Sequence, residues 1–454
     1  PRREPVVSDP MTRTAFAAYR LAGLLAYPFL RPYVGWRASR GKEDRRRLKE
    51  RYGVAGRERP AGVPLVWVHA ASVGESLAVM PMVRSIAADG VSVVMTTGTM
   101  TSAKLVEERL SDCVIHQYVP LDVRPAVRRF LDHWRPDLAL VAESEIWPLT
   151  IHELAARRIP QVRINARLSD RSFQRWKGRP RLAEALFETF AHVVAQSDVD
   201  GERFRLLGAP AVTVAGNLKA DAEPLPVDAD ALDAFAAALG ARPRFAAIST
   251  HLGEEEIVAE VHGRLRARHE GLVTILVPRH ADRGAAIAKA LVAKGLVVRR
   301  RSLGEMPEPG TDIFLGDTMG ELGIYLRLTD IAFVGKSITG QGGQNPLEAA
   351  MLGTGILTGR YVQNFRDTYQ RLLKNGGARI VRDADGLAAQ VDGLLLDPIQ
   401  RMAMSRGALK SVDEMRGALE RTQVALEPFL HPLRLSLSLE RGGRPGQGRA
   451  GNER

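Results

Sequence analysis

The chain has 454 residues, a length that predicts two or three domains rather than a single core. Its composition, 45% hydrophobic and 26% charged, is that of a folded globular protein, and its single cysteine, Cys113, excludes an intramolecular disulfide framework. The net charge of +12 predicts an anionic partner. Because aromatic residues make up only 6% of the chain and no basic patch is interleaved with them, nucleic acid is not predicted as that partner.

An apolar run over residues 15–30 precedes a basic segment that extends from Arg37 to Arg51. A membrane-spanning helix needs roughly 20 apolar residues, whereas this run is shorter and is interrupted by Arg20. The run is either a core helix with a solvated basic face or a helix embedded in or lying on the membrane. We favour the second interpretation, with the basic flank facing anionic lipid on the cytoplasmic side. Residues 1–60 are accordingly predicted to form an N-terminal extension, a membrane-associated helix and a basic segment.

Short apolar strands alternate with helices over residues 61–222. Helices are predicted at 74–89 and 102–110, and strands at 64–68, 91–96, 138–142, 161–165, 192–195 and 211–214. Apolar runs of this length, bounded by turns and separated by helices, are typical of a buried parallel sheet. The pattern predicts a Rossmann-like, doubly wound α/β domain.

A proline-rich, acidic segment at residues 221–226 interrupts the alternation and is the predicted linker. Strands resume at 245–249, 273–277, 297–300, 312–315, 331–334, 355–357 and 379–381. We therefore predict a second Rossmann-like domain over residues 227–430, facing the first across a central cleft, and a disordered basic tail over 431–454. Ligands of such sheets bind beyond the carboxyl ends of the strands, so the loops that follow the strands are the candidate sites.

Two loops of the first half carry carboxylates. The loop at residues 69–75 follows the first strand and ends on Glu75, in the first turn of a predicted helix. Glu75 either complements the helix dipole or acts as a general base that takes a proton from an attacking hydroxyl. The segment ESEIWP at 143–148 places two further carboxylates directly after a buried strand. Other polar side chains that follow strands, suited to an anion or a sugar, are Thr97, Arg167 and Lys219.

Three loops of the second half have features of nucleotide sites. Arg279, at a predicted strand end, forms either a surface ion pair or a phosphate contact. The loop at 316–322 opens a helix whose backbone N–H groups can meet a phosphate or a ribose. A glycine-rich loop at 335–348 ends on Glu348, which either caps the next helix or binds the two hydroxyls of a ribose. This loop is not a Walker motif, because the glycine required before Gly-Lys-Ser is absent.

Taken in order, these loops resemble the 3-deoxy-D-manno-octulosonic acid (Kdo) transferase family of lipid A biosynthesis. The resemblance spans residues 65–348, and its motifs are SVGE at 72–75, ESEIWP at 143–148, NARLS at 165–169, GNLK at 216–219, STH at 249–251, PRH at 278–280, GDTMGEL at 316–322 and GGQNPLE at 342–348. One such motif would be weak support, whereas the whole series in family order is specific.

The resemblance implies a GT-B glycosyltransferase that transfers Kdo from CMP-Kdo to a lipid A precursor, lipid IVA, in lipopolysaccharide core biosynthesis. It implies inversion without a metal ion or cofactor, at the cytoplasmic face of the inner membrane. By the same resemblance, Glu75 matches the general base, and Glu143 and Lys219 match residues that stabilise the transition state. The implied substrate contacts are Pro278, Arg279, His280, Met319, Gly320, Glu321, Asn345, Pro346, Leu347 and Glu348, with Ser72, Gly74, Thr97 and Arg167 in the first half.

The chain departs from the family pattern in three notable places. Leu149 stands where asparagine is usual, Lys336 where glycine is usual, and Gln344 where histidine is usual. Lys336 either adds a phosphate contact or crowds its loop, so donor affinity is the property most exposed to these changes. Two alternatives remain open: a related GT-B transferase that uses another activated sugar, and a non-catalytic cationic protein that binds lipid phosphates. The paired carboxylate loops favour an enzyme, since anion binding has no need of them.

Overall fold

Two compact α/β units make up the protein, and a computed structural model describes residues 10–340 and 342–442. The first unit comprises the chain up to Ala222 together with the segment from Gly417 onward, and the second runs from Glu223 to Arg416. The passage from one unit to the next therefore falls inside the proline-rich segment at 221–226.

A seven-stranded, fully parallel sheet forms the centre of the first unit, in the order β3-β2-β1-β4-β5-β6-β7. Its strands are β1 Leu65–His69, β2 Ser92–Thr97, β3 Ile115–Tyr118, β4 Leu138–Ala142, β5 Gln161–Ala166, β6 His192–Ala195 and β7 Val212–Val214. Along β1, Val66 and Val68 belong to one apolar core, whereas Leu65 and Trp67 belong to another. Since successive strand residues face opposite sides, the sheet is covered on both faces.

Helices connect these strands, and two short 3-10 turns complete the unit. The helices are α1 Pro10–Ser39, α2 Val73–Ala88, α3 Met100–Leu110, α4 Arg124–Trp134, α5 Pro148–Ala156, α6 Asp170–Lys177, α7 Pro180–Phe187 and α8 Asp198–Leu206, and the 3-10 turns are Leu48–Tyr52 and Leu218–Ala220. Helices that follow strands begin on side-chain caps at Ser72, Thr99 and Ser197, each of which accepts a hydrogen bond from a backbone N–H of the first turn.

The second unit repeats this architecture, with a parallel sheet in the order β10-β11-β9-β8-β12-β13-β14. Its strands are β8 Arg244–Thr250, β9 Val273–Pro278, β10 Val298–Arg300, β11 Ile313–Leu315, β12 Ile331–Val334, β13 Gly355–Thr358 and β14 Ala378–Ile380. Its helices are α9 Ala229–Leu239, α10 Glu254–Leu265, α11 Gly284–Ala293, α12 Leu322–Arg327, α13 Leu347–Ala350, α14 Arg366–Lys374, α15 Ala384–Leu396 and α16 Pro398–Met415. On β8, Phe245 and Ala247 face one core and Ala246 and Ile248 the other.

The predicted α/β fold with two Rossmann-like domains is confirmed. Each predicted strand is present to within one or two residues, but β3 was not predicted. Its sequence, Ile-His-Gln-Tyr, lacks the apolar run of the other strands, because β3 is an edge strand whose first two residues are only half-buried.

The last helix, α17 Ala418–Gly442, returns to the first unit. The Asp221 carboxylate accepts hydrogen bonds from the N–H groups of Gly417 at 2.7 Å and Leu419 at 2.6 Å, and Leu430 and Leu437 are buried in the core of the first unit. The prediction of a disordered tail from residue 431 is therefore wrong for residues 431–442, which continue the helix because its apolar side has a core to contact. Residues 443–454 lie outside the described residues.

The N-terminal helix α1 packs one side against the first unit and exposes the other. Val34 is buried, and a Cβ on Gly23 would lie 3.7 Å from the Leu149 side chain. No helix among the described residues is long and apolar enough to cross a membrane. Part of the predicted basic flank is turned inward: Arg51 is buried and donates to Glu43, and Arg47 is paired with Glu50.

Candidate active site

Each sheet reverses its winding direction between two neighbouring strands. In the first sheet the chain moves outward from β1 through β2 to β3, and then continues on the other side of β1 from β4 to β7. The corresponding neighbours in the second sheet are β8 and β12. Ligands of doubly wound sheets bind outside the carboxyl ends of the strands at this point. The loops after β1, β4, β8 and β12 are therefore the places where chemistry is expected.

Glu75 lies in the first turn of α2 and, together with Ser72, caps the start of this helix. The Ser72 hydroxyl accepts from the Glu75 N–H at 3.4 Å and donates to Glu75 Oε1 at 2.9 Å, while Oε2 accepts from the Ala71 N–H at 2.8 Å. Serine and glutamate at 72 and 75 have the spacing of a capping box, but the glutamate accepts from the Ala71 N–H instead of the Ser72 N–H. Glu75 therefore does stabilise the start of α2. Whether it can also act as a base depends on the groups around its carboxylate.

Burial and a neighbouring negative charge make Glu75 unusually basic. Burial, followed by the charge of Glu143, raises the pKa of the Glu75 carboxyl to about 7. Hydrogen bonds from Ala71 and Ser72 and the positive charge of Lys219 act in the opposite direction. A carboxylate with such a pKa can take a proton from a hydroxyl group and is still substantially ionised at neutral pH. An ordinary capping glutamate does not have this property.

Glu143 and Lys219 form an ion pair next to Glu75. Lys219 Nζ lies 2.6 Å from Glu143 Oε1, and the two side chains are 20% and 12% exposed. Glu143 is the first residue after β4 and has a φ of 53°, a strained conformation that folded proteins keep mainly at functional sites. Lys219 lies in the 3-10 turn after β7, and a Cβ on Gly74 would be 3.7 Å from its Cε. The first unit thus brings together the three side chains predicted to be catalytic.

The other predicted residues of the first unit differ in accessibility. Ser72 and Gly74 lie at the start of α2 and are half-buried. Arg167 follows β5, and its carbonyl accepts from Ser144 Oγ at 2.8 Å, which places it beside the Glu143 loop. Thr97 is fully buried and its hydroxyl lies 3.0 Å from His116 Nε2. The prediction that the Thr97 side chain contacts substrate therefore has no support in this geometry.

Two buried basic residues behind these loops were not predicted. Burial lowers the pKa of His69 to about 3 and that of Arg163 to about 9. Arg163 Nη1 donates to the carbonyl of Glu145 at 2.5 Å, and its guanidinium lies 4.5 Å from the centre of the Phe190 ring. Arg163 therefore anchors the loop that follows β4. The signal in the sequence was an arginine inside an otherwise strand-forming run, Gln-Val-Arg-Ile-Asn-Ala.

In the second unit, Glu254 holds the glycine-rich loop that follows β12. Its carboxylate is fully buried and accepts from the N–H groups of Lys336 at 2.6 Å, Ser337 at 2.8 Å and Ile338 at 3.1 Å, and also from the His251 N–H at 3.0 Å. Lys336 has a φ of 57°, the left-handed region that glycine adopts freely, which explains why glycine is usual at this position. The role of Glu254 was not predicted, because in the sequence it is one of three adjacent glutamates.

The loops after β8 and β9 and the glycine-rich loop after β12 carry a group of polar side chains. Arg279 and His280 are exposed directly after β9, and Pro278, its last residue, is buried. The His280 ring lies 5.7 Å from the His251 ring and nearly perpendicular to it. Gln344 Nε2 is 3.0 Å from His251 Nε2. The glutamine that replaces the usual histidine therefore contacts a histidine of the neighbouring loop.

The predicted segments at 319–321 and 345–348 lie in turns before helices. Met319 is exposed and Gly320 has a φ of 91°. Partial burial raises the pKa of the Glu321 carboxyl. Hydrogen bonds, first of all those from Arg301, lower it by more, so the pKa lies below its usual range. The remaining predicted contacts are Asn345 and Glu348, half-buried, and Pro346 and Leu347, buried.

Glu254→Gln is expected to lower the free energy of unfolding by about 2–3 kcal/mol. A carboxylate can accept all four N–H groups, whereas an amide has one acceptor oxygen and would turn its own NH₂ toward donors. Urea unfolding followed by far-UV circular dichroism measures the change, because all five tryptophans lie before residue 222 and do not report on the second unit. Glu256→Gln, two positions along on the exposed side of α10, is the matched control and should stay within about 0.5 kcal/mol of the unaltered protein. Equal effects of the two substitutions would contradict the role given to Glu254.

Comparison with known proteins gives consistent matches over most of the chain. Residues 46–222 match a protein-family model described as 3-Deoxy-D-manno-octulosonic-acid transferase (kdotransferase). A 3-deoxy-D-manno-octulosonic acid transferase of Haemophilus influenzae is 35% identical over 413 residues, 90% of this chain and 97% of that protein. Its counterpart in Bordetella pertussis is 36% identical, covering 84% and 91%. A solved glycosyltransferase from Rickettsia africae has a TM-score of 0.56 at 13% identity, covering 81% and 99%, a likeness that concerns the fold alone.

Proposed function

Since this chain belongs to the Kdo transferase family and is a GT-B glycosyltransferase of lipopolysaccharide synthesis, we propose that it transfers Kdo from CMP-Kdo to the lipid A precursor lipid IVA. Glu75 is the general base of the proposed reaction. The observation that carries the proposal is the half-buried Glu75 carboxyl, with its pKa of about 7, beside the Glu143–Lys219 ion pair.

The proposed reaction begins when ionised Glu75 takes the proton of an acceptor hydroxyl as its oxygen attacks the anomeric carbon of Kdo. The C–O bond to the acceptor forms, the C–O bond to the CMP phosphate breaks, and the proton ends on Glu75. A single displacement of this kind inverts the anomeric centre. The Lys219 ammonium, held on Glu143 at 2.6 Å, supplies a fixed positive charge next to the base and keeps a useful fraction of Glu75 ionised.

The second unit is the proposed donor-binding side. The leaving CMP phosphate gains negative charge, and the exposed guanidinium of Arg279 at the end of β9 can stabilise it without a divalent ion. Lys336 adds a half-buried ammonium from the glycine-rich loop. Asn345 and Glu348, half-buried near the start of α13, are the proposed polar contacts with the nucleotide.

An assay with CMP-Kdo, tetraacylated lipid A precursor and the purified protein tests this function. CMP release should require the acceptor and should continue in the presence of EDTA, and the product mass counts the Kdo residues added. Turnover of another activated sugar in place of CMP-Kdo would favour a related GT-B transferase. Absence of CMP release from folded protein that nevertheless binds lipid phosphates would overturn the transferase proposal.

We also propose that α1 rests on an anionic membrane surface. Leu21, Leu25 and Phe29 follow one another at four-residue spacing and are 58%, 66% and 73% exposed. Further exposed apolar side chains on α1 are Leu24, Tyr33 and Trp36. The exposed basic side chains of α1 and of the segment that follows it are Arg31, Arg40, Lys42, Arg45, Arg46 and Lys49. An apolar stripe with a cationic flank is the arrangement of helices that lie in the membrane interface.

Leu25→Glu combined with Phe29→Glu is expected to reduce binding to phosphatidylglycerol vesicles at least about fivefold, because it places two carboxylates on the face that would enter the interface. Vesicle flotation measures the bound fraction. Leu206→Glu combined with Val424→Glu changes two equally exposed apolar residues of the same unit and should leave binding unchanged. Unaltered flotation of the α1 variant would contradict the proposed membrane contact.

A further inference from the structure

Asn165 is a buried polar residue to which the proposed reaction assigns no role. It is 2% exposed, near the end of β5, and has a φ of 48°. The pairing of β5 with β6 shifts register between Arg163 and Ala166, so Asn165 sits in an irregular part of the strand. Asparagine is one of the few residues besides glycine that adopt the left-handed conformation readily, and such conformations persist only where the surroundings hold them.

The side chain of Asn165 reaches the 3-10 turn that carries Lys219. Asn165 Oδ1 accepts from the Leu218 N–H at 3.0 Å, and Asn217 Oδ1 accepts from the Lys219 N–H at 3.1 Å. Asp221, the residue after the turn, accepts hydrogen bonds from backbone N–H groups at the start of α17 through its carboxylate. The turn is therefore held on two sides, and Asn165 connects it to the central sheet.

We propose that Asn165 is a positioning residue for Lys219, whose ammonium it keeps on Glu143 beside Glu75 by holding the backbone of the turn. Lysine has a long side chain with many rotamers, so a fixed backbone removes part of the freedom that would otherwise oppose a single ion-pair geometry. Leu218 is 1% exposed, and its side chain anchors the turn in the core. Without the Asn165 acceptor the buried Leu218 N–H would have no partner, which would favour another backbone arrangement of the turn. The role of Asn165 in turnover rests on the proposed function, whereas its role in placing Lys219 does not.

The chemical reactivity of Lys219 tests its placement without any assay of activity. Asn165→Gly removes the acceptor while allowing the left-handed backbone. Acetylation by an N-hydroxysuccinimide ester, followed by peptide mass spectrometry, is expected to modify Lys219 at least threefold faster in this variant. Val127→Ala, a cavity-forming change in another core of the same unit, controls for lost stability and should leave the rate unchanged. Unchanged Lys219 acetylation in Asn165→Gly would overturn the proposal; if that variant does not fold, Asn165→Ser, whose hydroxyl is too short to reach Leu218, gives the same comparison.

Kinetics provide the second measurement. The charged groups that act on Glu75 are Glu143 and Lys219. In Asn165→Gly, kcat is expected to fall 10- to 100-fold, which is about the loss of rate caused by removing one well-placed electrostatic contact. The KM for CMP-Kdo should stay within twofold of its value in the unaltered protein. The acidic limb of the kcat–pH profile should move to higher pH. When Lys219→Met is already present, Asn165→Gly should lower kcat little further. If the losses of kcat from the two substitutions were fully additive in free energy, the proposal would be contradicted. Faster acetylation of Lys219 in a protein that never releases CMP from CMP-Kdo would support the positioning role and refute the proposed function.

Discussion

Glu75→Gln is expected to reduce kcat at least about 10³-fold, within the range that a positioned general base contributes. The amide oxygen of glutamine can accept from the Ala71 N–H and its NH₂ can donate to the Ser72 hydroxyl, so the start of α2 should be retained. Glutamine cannot accept the proton of the acceptor hydroxyl. CMP release at saturating substrate measures the loss, and calorimetric titration with CMP should give an affinity within twofold of the unaltered protein, because the proposed nucleotide contacts belong to the second unit.

The same substitution should stabilise the protein at alkaline pH. The Glu75 pKa of about 7 in the folded protein lies above its ordinary value of 4.5. A carboxyl with a raised pKa contributes its stability in full below pH 4.5 and loses that contribution as the pH rises to 7. Glu75→Gln removes this loss, so Tm at pH 8 should increase, by the equivalent of up to about 3 kcal/mol, whereas at pH 4 the two proteins should agree. Inactivity with a lower Tm at pH 8 would point to a damaged fold instead.

The start of α8 provides a matched control for this experiment. Asp200 occupies the same position after Ser197 that Glu75 occupies after Ser72, and its carboxylate accepts from Ser197 Oγ at 2.7 Å. Asp200→Asn therefore changes a capping carboxylate to its amide without touching the proposed base. Its kcat should remain within about twofold. A large loss of turnover in Asp200→Asn would mean that the effect at Glu75 reflects capping rather than proton transfer.

Lys219→Met and Glu143→Gln are expected to move the acidic limb of the kcat–pH profile in opposite directions. Lys219 lowers the pKa of Glu75 and Glu143 raises it. Loss of the cation therefore moves the limb above pH 7, and loss of the anion moves it below pH 7, each by about 0.5–1 pH unit. Because each substitution also breaks the half-buried ion pair, kcat on the alkaline plateau should fall about 10²-fold in both.

Initial rates of CMP release between pH 5 and pH 9 measure these shifts. Arg203→Met, which breaks the ion pair of Arg203 with Asp170 in the same unit, is the control and should leave the limb near pH 7. A shift in the same direction for Lys219→Met and Glu143→Gln, or an acidic limb that remains near the ordinary glutamate pKa in the unaltered protein, would show that the titrating group is not Glu75.

The sequence predicts the sheets and the positions of the loops that carry Glu75 and Glu143, because both depend on local patterns. Buried parallel strands are short apolar runs, and the loops after β1 and β4 meet because neighbouring parallel strands end at the same edge. Asn165, Arg163 and Glu254 were missed because their roles depend on partners distant along the chain, such as the Leu218 N–H and the N–H groups that follow Lys336. Thr97 shows the converse: it was predicted to follow the strand, but it is the last residue of β2, and its hydroxyl contacts His116 inside the protein.

The return of α17 makes the second unit an insertion within the first. Buried residues of this helix, Leu426, Leu430 and Leu437 among them, complete a core whose other members lie before residue 222. As the chain emerges from the ribosome, the contiguous residues 223–416 are all available before that core can close. The second unit is therefore free to finish folding first, while the unit that carries Glu75 waits for the last part of the chain to be made. A chain terminated between Arg416 and the buried part of α17 would contain the whole second unit and an incomplete first unit.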